Sequence, residues 1–302
     1  MSFYPSSLAN VNNQYLTYVF CVAETQGLHL PVYQIDYTPE SDYKNLVPNS
    51  VKEYILMICG NENHESVDFY LNDPRVKMIV KNYPRMINCA ADVPGAYEYN
   101  VKRDTTTGRQ RFVIEREKEN ILTIPLGSCN NYNPLLNYNK NAPGGFVGQW
   151  TQFRQEKVEK IINSFGSDIC PYDWAFYKGF GPFVQSDTSS DWSSSLDTQT
   201  YSNFMSKSEV AFVLSGQSPE TYRLFEAAMA GCIIVHDNLP DIWYYKELPY
   251  VPLQPESFIA VHDYIQANKK DLKSHTASWY QRFASPVAVG KKIAQTAKHL
   301  GI

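Results

Sequence analysis

An arginine and a glutamate three residues apart are the side chains in this sequence best suited to binding a charged ligand. Arg223 and Glu226 lie within residues 218–235, SPETYRLFEAAMAGCIIV. Residues three apart share one face of a helix, and the carboxylate lies about 4.5 Å further along the axis. An anion at the helix start would meet free N–H groups and the guanidinium together, while a nearby hydroxyl could bond the carboxylate. A nucleoside diphosphate, with its diphosphate joined to ribose, has this layout.

The helix that must position this pair is bounded by recognisable signals. Ser218 predicts the N-cap, Pro219 suits the first helical position, and Gly231 suits the helix end. Apolar runs at 210–214 and 232–235 flank it, and the pattern predicts a strand–helix–strand unit of a parallel sheet. The alternative reading of Arg223 and Glu226 is an ion pair on a helix surface, which contributes a few tenths of a kcal/mol.

The same stretch resembles the signature of the exostosin-like glycosyltransferases. In that family an Arg-Leu-aromatic-acid-Ala segment precedes Ala-Gly-Cys-Ile-Pro-Val, and here Ile234 stands where proline is frequent. Weaker resemblances occur at 73–85, DPRVKMIVKNYPR, and at 146–162, FVGQWTQFRQEKVEKII. The resemblance implies an α/β protein of GT-B architecture, in which two Rossmann-like domains face each other across a cleft. It also implies a nucleotide-sugar donor and no essential metal.

The resemblance assigns roles to residues of the second domain. By position in the motif, Arg223 would hold the diphosphate, Glu226 the ribose, and residues 218–221 would form the phosphate-facing turn. Arg154 would be a second diphosphate contact after a glycine turn, although long arginine side chains often remain solvated. The nucleotide-binding candidates are therefore Gly148, Arg154, Ser218, Glu220, Thr221, Arg223 and Glu226.

A general base is expected in the first domain. Residues 53–59 form an apolar strand pattern, and the polar loop that follows contains Glu62 and His64. Asp92 lies in the loop after the next strand pattern. Ligands of open α/β sheets bind at such strand ends, and a carboxylate or imidazole there could deprotonate an acceptor hydroxyl. Taken singly, each residue could instead be ordinary loop polarity.

Length and local composition predict the domain organisation. The chain of 302 residues is long enough for two domains, and residues 130–145 are rich in Asn, Pro and Gly, as linkers are. The prediction is an acceptor-binding domain at 1–140, a nucleotide-sugar-binding domain at 141–285, and a terminal helix at 286–302 that crosses back to the first domain. A strand is expected over 16–22, and helices over 201–206 and 263–274.

Bulk properties disfavour several classes of partner. The net charge is −4 with no dense Lys/Arg run, which disfavours nucleic acid. No apolar stretch approaches the roughly 20 residues that span a bilayer, so no integral membrane segment is expected. The six cysteines show no CxxC spacing and no N-x-S/T sequon occurs, which favours a soluble protein in the cytoplasm. No D-x-D pair occurs, so no metal cofactor is expected.

The resulting functional prediction is an inverting, metal-independent glycosyltransferase. It would move a sugar from a nucleotide-sugar donor to a hydroxyl of a glycan acceptor, with a UDP-sugar favoured and UDP-xylose suggested by analogy. One alternative is a fucosyltransferase that uses GDP-fucose. The other is a non-catalytic protein of the same fold that binds glycans or nucleotides.

Overall fold

The chain folds into two compact α/β units. The computed structural model describes residues 3–5, 12–37, 46–60, 66–84, 101–103, 110–112, 118–134, 140, 142–148, 154, 158–159, 175–178, 181–182, 198–215, 220–236, 239–253 and 258–302. Unit 1 comprises Met1–Asn130, Pro240–Lys246 and Gln281–Ile302, and unit 2 comprises Asn131–Leu239 and Glu247–Tyr280. The sequence did not indicate that residues 240–246, which follow a strand of unit 2, belong to unit 1.

Unit 1 contains a five-stranded parallel sheet in the order β1-β2-β3-β4-β7. Its central strand, β3, is fully buried and apolar, as expected for a parallel sheet covered on both faces. A separate antiparallel pair is formed by β5 and β6. The strands are β1 (Phe3–Tyr4), β2 (Val32–Asp36), β3 (Tyr54–Cys59), β4 (Val76–Lys81), β5 (Val101–Arg103), β6 (Gln110–Phe112) and β7 (Ile121–Thr123).

The strand predicted over 16–22 is wrong, because these residues belong to helix α1 (Asn13–Thr25). The buried side chains of α1 are Tyr15, Leu16, Val19, Phe20 and Ala23, and the last four are spaced at i, i+3, i+4 and i+7. This spacing has the helical period, whereas the β-branched and aromatic content of the segment favoured a strand. A short 3₁₀ helix spans Asp68–Asn72.

Unit 2 contains a six-stranded sheet in the order β10-β9-β8-β11-β12-β13. All of its pairs are parallel except the one between β9 and β10. The predicted strand–helix–strand unit is confirmed by β11, the helix that follows it, and β12. The strands are β8 (Ala142–Gly148), β9 (Ala175–Lys178), β10 (Gly181–Pro182), β11 (Ser208–Val213), β12 (Ile233–His236) and β13 (Val251–Pro252).

Among the described residues, four α-helices lie between residues 198 and 299. Helix α2 (Thr198–Lys207) precedes β11, and α3 (Tyr222–Met229) joins β11 to β12. Helix α4 (Phe258–Trp279) contributes Val261, Ile265 and Leu272 to the apolar core of unit 2. A π-helical segment, Tyr280–Ala284, separates it from the terminal helix α5 (Pro286–His299), which packs against α1 in unit 1.

Both units are therefore mixed α/β with mainly parallel sheets. The carboxyl ends of β8, β11 and β12 lie at one edge of the unit 2 sheet, and helix α3 begins after the loop that leaves β11. This edge is where open parallel sheets place their ligands.

Candidate functional site

Helix α3 begins at Tyr222, three residues after the predicted first helical position. Its N-cap is Thr221, whose backbone is extended at φ −137° and ψ 150°, and Glu220 is not helical either. The predicted start at Ser218 and Pro219 is therefore wrong, although both residues lie outside the described part of the chain. Thr221 is itself a preferred N-cap residue, so the helix can begin there. The later start places Arg223 in the first turn, at the positive end of the helix dipole.

Arg223 has an unusual environment for a cation. Its Nε and Nη1 atoms are buried, and neither has a hydrogen-bond partner among the described residues. Within the same part of the chain no ion pair joins it to Glu226, so the surface ion pair considered above is not formed. Buried guanidinium nitrogens are rarely left without acceptors, because their desolvation is costly. An anion at this point would supply the acceptors that are missing.

An aromatic ring in the core of unit 2 brings the two predicted arginines together. The guanidinium carbon of Arg223 lies 4.8 Å from the centroid of the Phe146 ring, and that of Arg154 lies 5.8 Å from it. Arg154 is buried, and its Nε donates a hydrogen bond of 3.3 Å to the carbonyl of Leu214, directly after β11. Two guanidinium groups thus converge at the carboxyl edge of the sheet, next to the start of α3.

The remaining candidates near this helix start are buried and polar. Glu220 and Glu226 are 2% and 4% exposed, which is unusual for carboxylates. The hydroxyl of Thr221 is buried and has no hydrogen-bond partner among the described residues, and it does not cap the helix. Three buried polar atoms without partners therefore lie in one short segment, Nε and Nη1 of Arg223 and Oγ1 of Thr221.

A buried tyrosine forms a hydrogen bond to the backbone of helix α3. The Tyr132 hydroxyl donates a hydrogen bond of 2.9 Å to the backbone carbonyl of Glu226. Burial raises the pKa of Tyr132 well above its usual value, and the nearby Tyr201 and Glu226 raise it further. The phenol therefore stays protonated and serves as a fixed donor rather than as a titrating group.

The structure describes only some of the other candidate residues. Gly148 ends β8, on the strand that carries Phe146, and it pairs with Lys178 of β9. Glu62, His64, Asp92 and Ser218 lie outside the described residues, so their assignments stay predictions. Phe146 was not among the candidates, although it opens the segment that resembles the family's nucleotide-binding strand. Its contact with Arg223 joins residues far apart in sequence, and no local pattern predicts such a contact.

The described residues contain no group of three His, Cys, Asp or Glu placed to hold a metal ion. No helix among them has both the length and the apolar character needed to cross a membrane.

No protein-family model matches the sequence, and no curated protein matches it. The fold is similar to three solved glycosyltransferase structures. The GtfA/B complex is 12% identical at a TM-score of 0.44, with 95% of this chain and 60% of that chain covered. The glycotransferase of kitacinnamycin is 9% identical at a TM-score of 0.40, with 92% of this chain and 94% of that chain covered. The pneumococcal O-GlcNAc transferase GtfA, in complex with UDP and GlcNAc, is 15% identical at a TM-score of 0.36. The match covers 94% of this chain and 57% of that chain.

This chain thus spans less than two thirds of the length of two of these structures. At these identities the similarity concerns the fold alone.

Proposed function

We propose that the protein is a glycosyltransferase that uses a nucleotide-sugar donor. The observation that carries this proposal is the pair of buried Arg223 guanidinium nitrogens at the start of α3, beside Arg154, for which the described residues supply no acceptor. A diphosphate matches this arrangement because it presents several acceptor oxygens and a double negative charge. The resemblance of residues 218–235 to the exostosin-like signature supports the same assignment. A UDP-sugar is the favoured donor, with UDP-xylose as the first candidate to test.

The proposed reaction is a single displacement at the anomeric carbon. The acceptor hydroxyl loses its proton to a base and attacks from the face opposite the nucleotide, so the bond to the diphosphate breaks with inversion. Glu62, His64 and Asp92 are the candidates for the base. Charge grows on the departing diphosphate, and Arg223, Arg154 and the N–H groups at the helix start would stabilise it without a metal.

A binding experiment tests the donor site. Wild-type protein and Arg223→Gln are titrated with UDP and GDP by calorimetry. We expect Arg223→Gln to weaken binding of the preferred nucleotide by roughly 10- to 150-fold, because a hydrogen bond to a charged group contributes about 1.5–3 kcal/mol. Arg282→Gln is the matched control, because Arg282 also lies over an aromatic ring, 4.9 Å from the centroid of Phe283, but in unit 1. Equal affinity in wild type and Arg223→Gln would contradict the site.

A turnover experiment separates the enzyme from the other candidates. Purified protein is incubated with a panel of UDP- and GDP-sugars, with and without EDTA, and release of nucleotide is measured. Hydrolysis or transfer with a UDP-sugar that persists in EDTA is the expected result. Turnover with GDP-fucose instead identifies the fucosyltransferase, and binding without any turnover identifies the non-catalytic protein. Activity abolished by EDTA and restored by manganese would exclude the metal-independent mechanism.

A further inference from the structure

We propose that Phe146 is a positioning residue that keeps the guanidinium groups of Arg154 and Arg223 together beside one ring, where a diphosphate can contact both. This inference rests on the proposed function, since it concerns how the same site distinguishes a diphosphate from a monophosphate. The ring is fully buried in β8, and both guanidinium groups lie within the range of about 6 Å at which a cation interacts with an aromatic face.

The position of the ring is fixed by the sheet. On one side Gly145 and Phe146 pair with Ala175 and Phe176 of β9, and on the other Gly144 and Gly145 pair with β11. Phe146 also belongs to the apolar core cluster that contains Val158 and Phe212. A ring held on both sides and packed in a core has little freedom to shift, so it can act as a fixed surface for flexible neighbours.

Contact with the Phe146 ring restricts the side-chain conformations of the two arginines. An arginine side chain has many rotamers, and immobilising it on binding costs free energy. Arg154 is already fixed by its hydrogen bond to the Leu214 carbonyl. Nε and Nη1 of Arg223 have no hydrogen-bond partner among the described residues, and the Arg223 guanidinium lies over the ring. Loss of the ring would therefore release Arg223 more than Arg154.

Two cations beside one ring also repel each other. A ligand with two adjacent negative groups relieves this repulsion at both guanidiniums, whereas a single phosphate can relieve it fully at only one. The arrangement therefore favours a nucleoside diphosphate over the corresponding monophosphate, and this preference depends on Phe146 keeping the two groups together.

The test compares UDP and UMP binding in wild type and in Phe146→Leu, with GDP and GMP in their place if the protein prefers guanine. We expect Phe146→Leu to weaken UDP binding by roughly tenfold while UMP binding changes much less, so the UDP-to-UMP preference falls. Phe212→Leu is the matched control, because Phe212 is equally buried in the same cluster on the paired strand β11. It should lose stability and keep the wild-type preference.

A second variant and a folding measurement separate loss of the ring from loss of the folded state. Phe146→Tyr retains the ring and should keep most of the preference, and circular dichroism establishes that each variant is folded under the binding conditions. If Phe146→Leu does not fold, Phe146→Met replaces it as the variant without a ring. An unchanged UDP-to-UMP preference in the folded non-aromatic variant overturns the inference while leaving the proposed function intact. A wild-type protein that binds no nucleoside diphosphate overturns both.

Discussion

At the residue scale, the sequence predicts the helix face on which Arg223 lies, whereas only the tertiary structure reveals which residues surround it. The spacing of Arg223 and Glu226 predicts one helix face, and both residues do lie on α3. The spacing does not reveal that Arg223 packs on Phe146 instead of pairing with Glu226. Guanidinium nitrogens that are buried without an acceptor among the described residues cost free energy in the unliganded protein, and such costs are typical of sites that bind a ligand of opposite charge.

Tyr280 gives a prediction about pH at the same scale. Burial raises its pKa from 10.0 to about 12, so the folded protein keeps a proton that the unfolded chain loses. The stabilisation is complete below pH 10 and is lost as the pH rises toward 12. We expect the free energy of unfolding to fall less steeply over this range in Tyr280→Phe than in wild type.

Urea denaturation at a series of pH values between about 9 and 12 measures this slope. Tyr264→Phe is the control, because Tyr264 lies on α4 and is 52% exposed. This variant keeps Tyr280 and should therefore keep the loss of stability that Tyr280 causes. Equal slopes for Tyr280→Phe and wild type would show that Tyr280 titrates alike in the folded and unfolded states.

At the element scale, β8 depends on a glycine in a left-handed conformation. Gly144 has φ +108° and pairs with Val210 of β11, so a side chain there would strike the Val210 backbone. Residues 130–145 were interpreted as a linker because of their Asn, Pro and Gly content. The glycines at 144 and 145 instead form part of the strand that carries Phe146. Close approach of two backbones is a second reason for glycine in a sequence, besides turns.

Gly144→Ala should therefore be strongly destabilising. Gly27→Ala is a matched control, since Gly27 has φ +99° and no atom within 4 Å of an added Cβ. Both variants incur the backbone cost of about 1–2 kcal/mol, but only Gly144→Ala also disturbs the pairing of β8 with β11. We expect its loss of unfolding free energy to exceed that of Gly27→Ala by at least about 2 kcal/mol, measured by urea denaturation. Similar losses would show that the β8–β11 approach is not tight.

At the scale of the whole molecule, unit 1 is assembled from three separated chain segments. The terminal helix α5 supplies Val289, Ile293 and Ala297 to the core cluster that contains α1 and the β strands of unit 1. The tyrosine hydroxyl of Tyr15 in α1 also donates to the carbonyl of Ala284, just before α5. The last residues of the chain are therefore part of the first unit's core.

The contact between α1 and α5 predicts that replacing a glycine of α5 by alanine destabilises the protein, which is the opposite of the usual effect in a helix. An alanine in place of glycine inside an exposed helix usually stabilises it by about 1 kcal/mol. At Gly290 an added Cβ would lie 2.5 Å from the Val19 carbonyl and 2.7 Å from Val22 Cβ. We expect Gly290→Ala to destabilise the protein by about 1–3 kcal/mol because it overpacks this contact.

Thermal denaturation with extrapolation to a common temperature checks the sign. Lys291→Ala is the control, because Lys291 is the next residue of α5 and is exposed. It should change stability by less than about 0.5 kcal/mol. A stabilising effect of Gly290→Ala would mean that the two helices are not in close contact.

The sequence by itself determined the local elements of unit 2 and the position of the charged pair. The apolar runs of β11 and β12, the helix between them and the placement of Arg223 and Glu226 on it follow from periodicity and from the glycine after the helix end, which act over a few residues. The start signals at Ser218 and Pro219 placed the beginning of that helix three residues too early. Where local signals compete, as in residues 16–22, composition favoured a strand and the buried face required a helix.

Only the tertiary structure decided which residues meet. Phe146 contacts Arg223, Leu214 accepts a hydrogen bond from Arg154, and residues 240–246 join unit 1, across separations that no local pattern encodes. The physical reason is that helix and strand periods report which face of an element is buried, but not which other element covers it. Packing and strand order make that choice, and here they place two guanidinium groups around one ring.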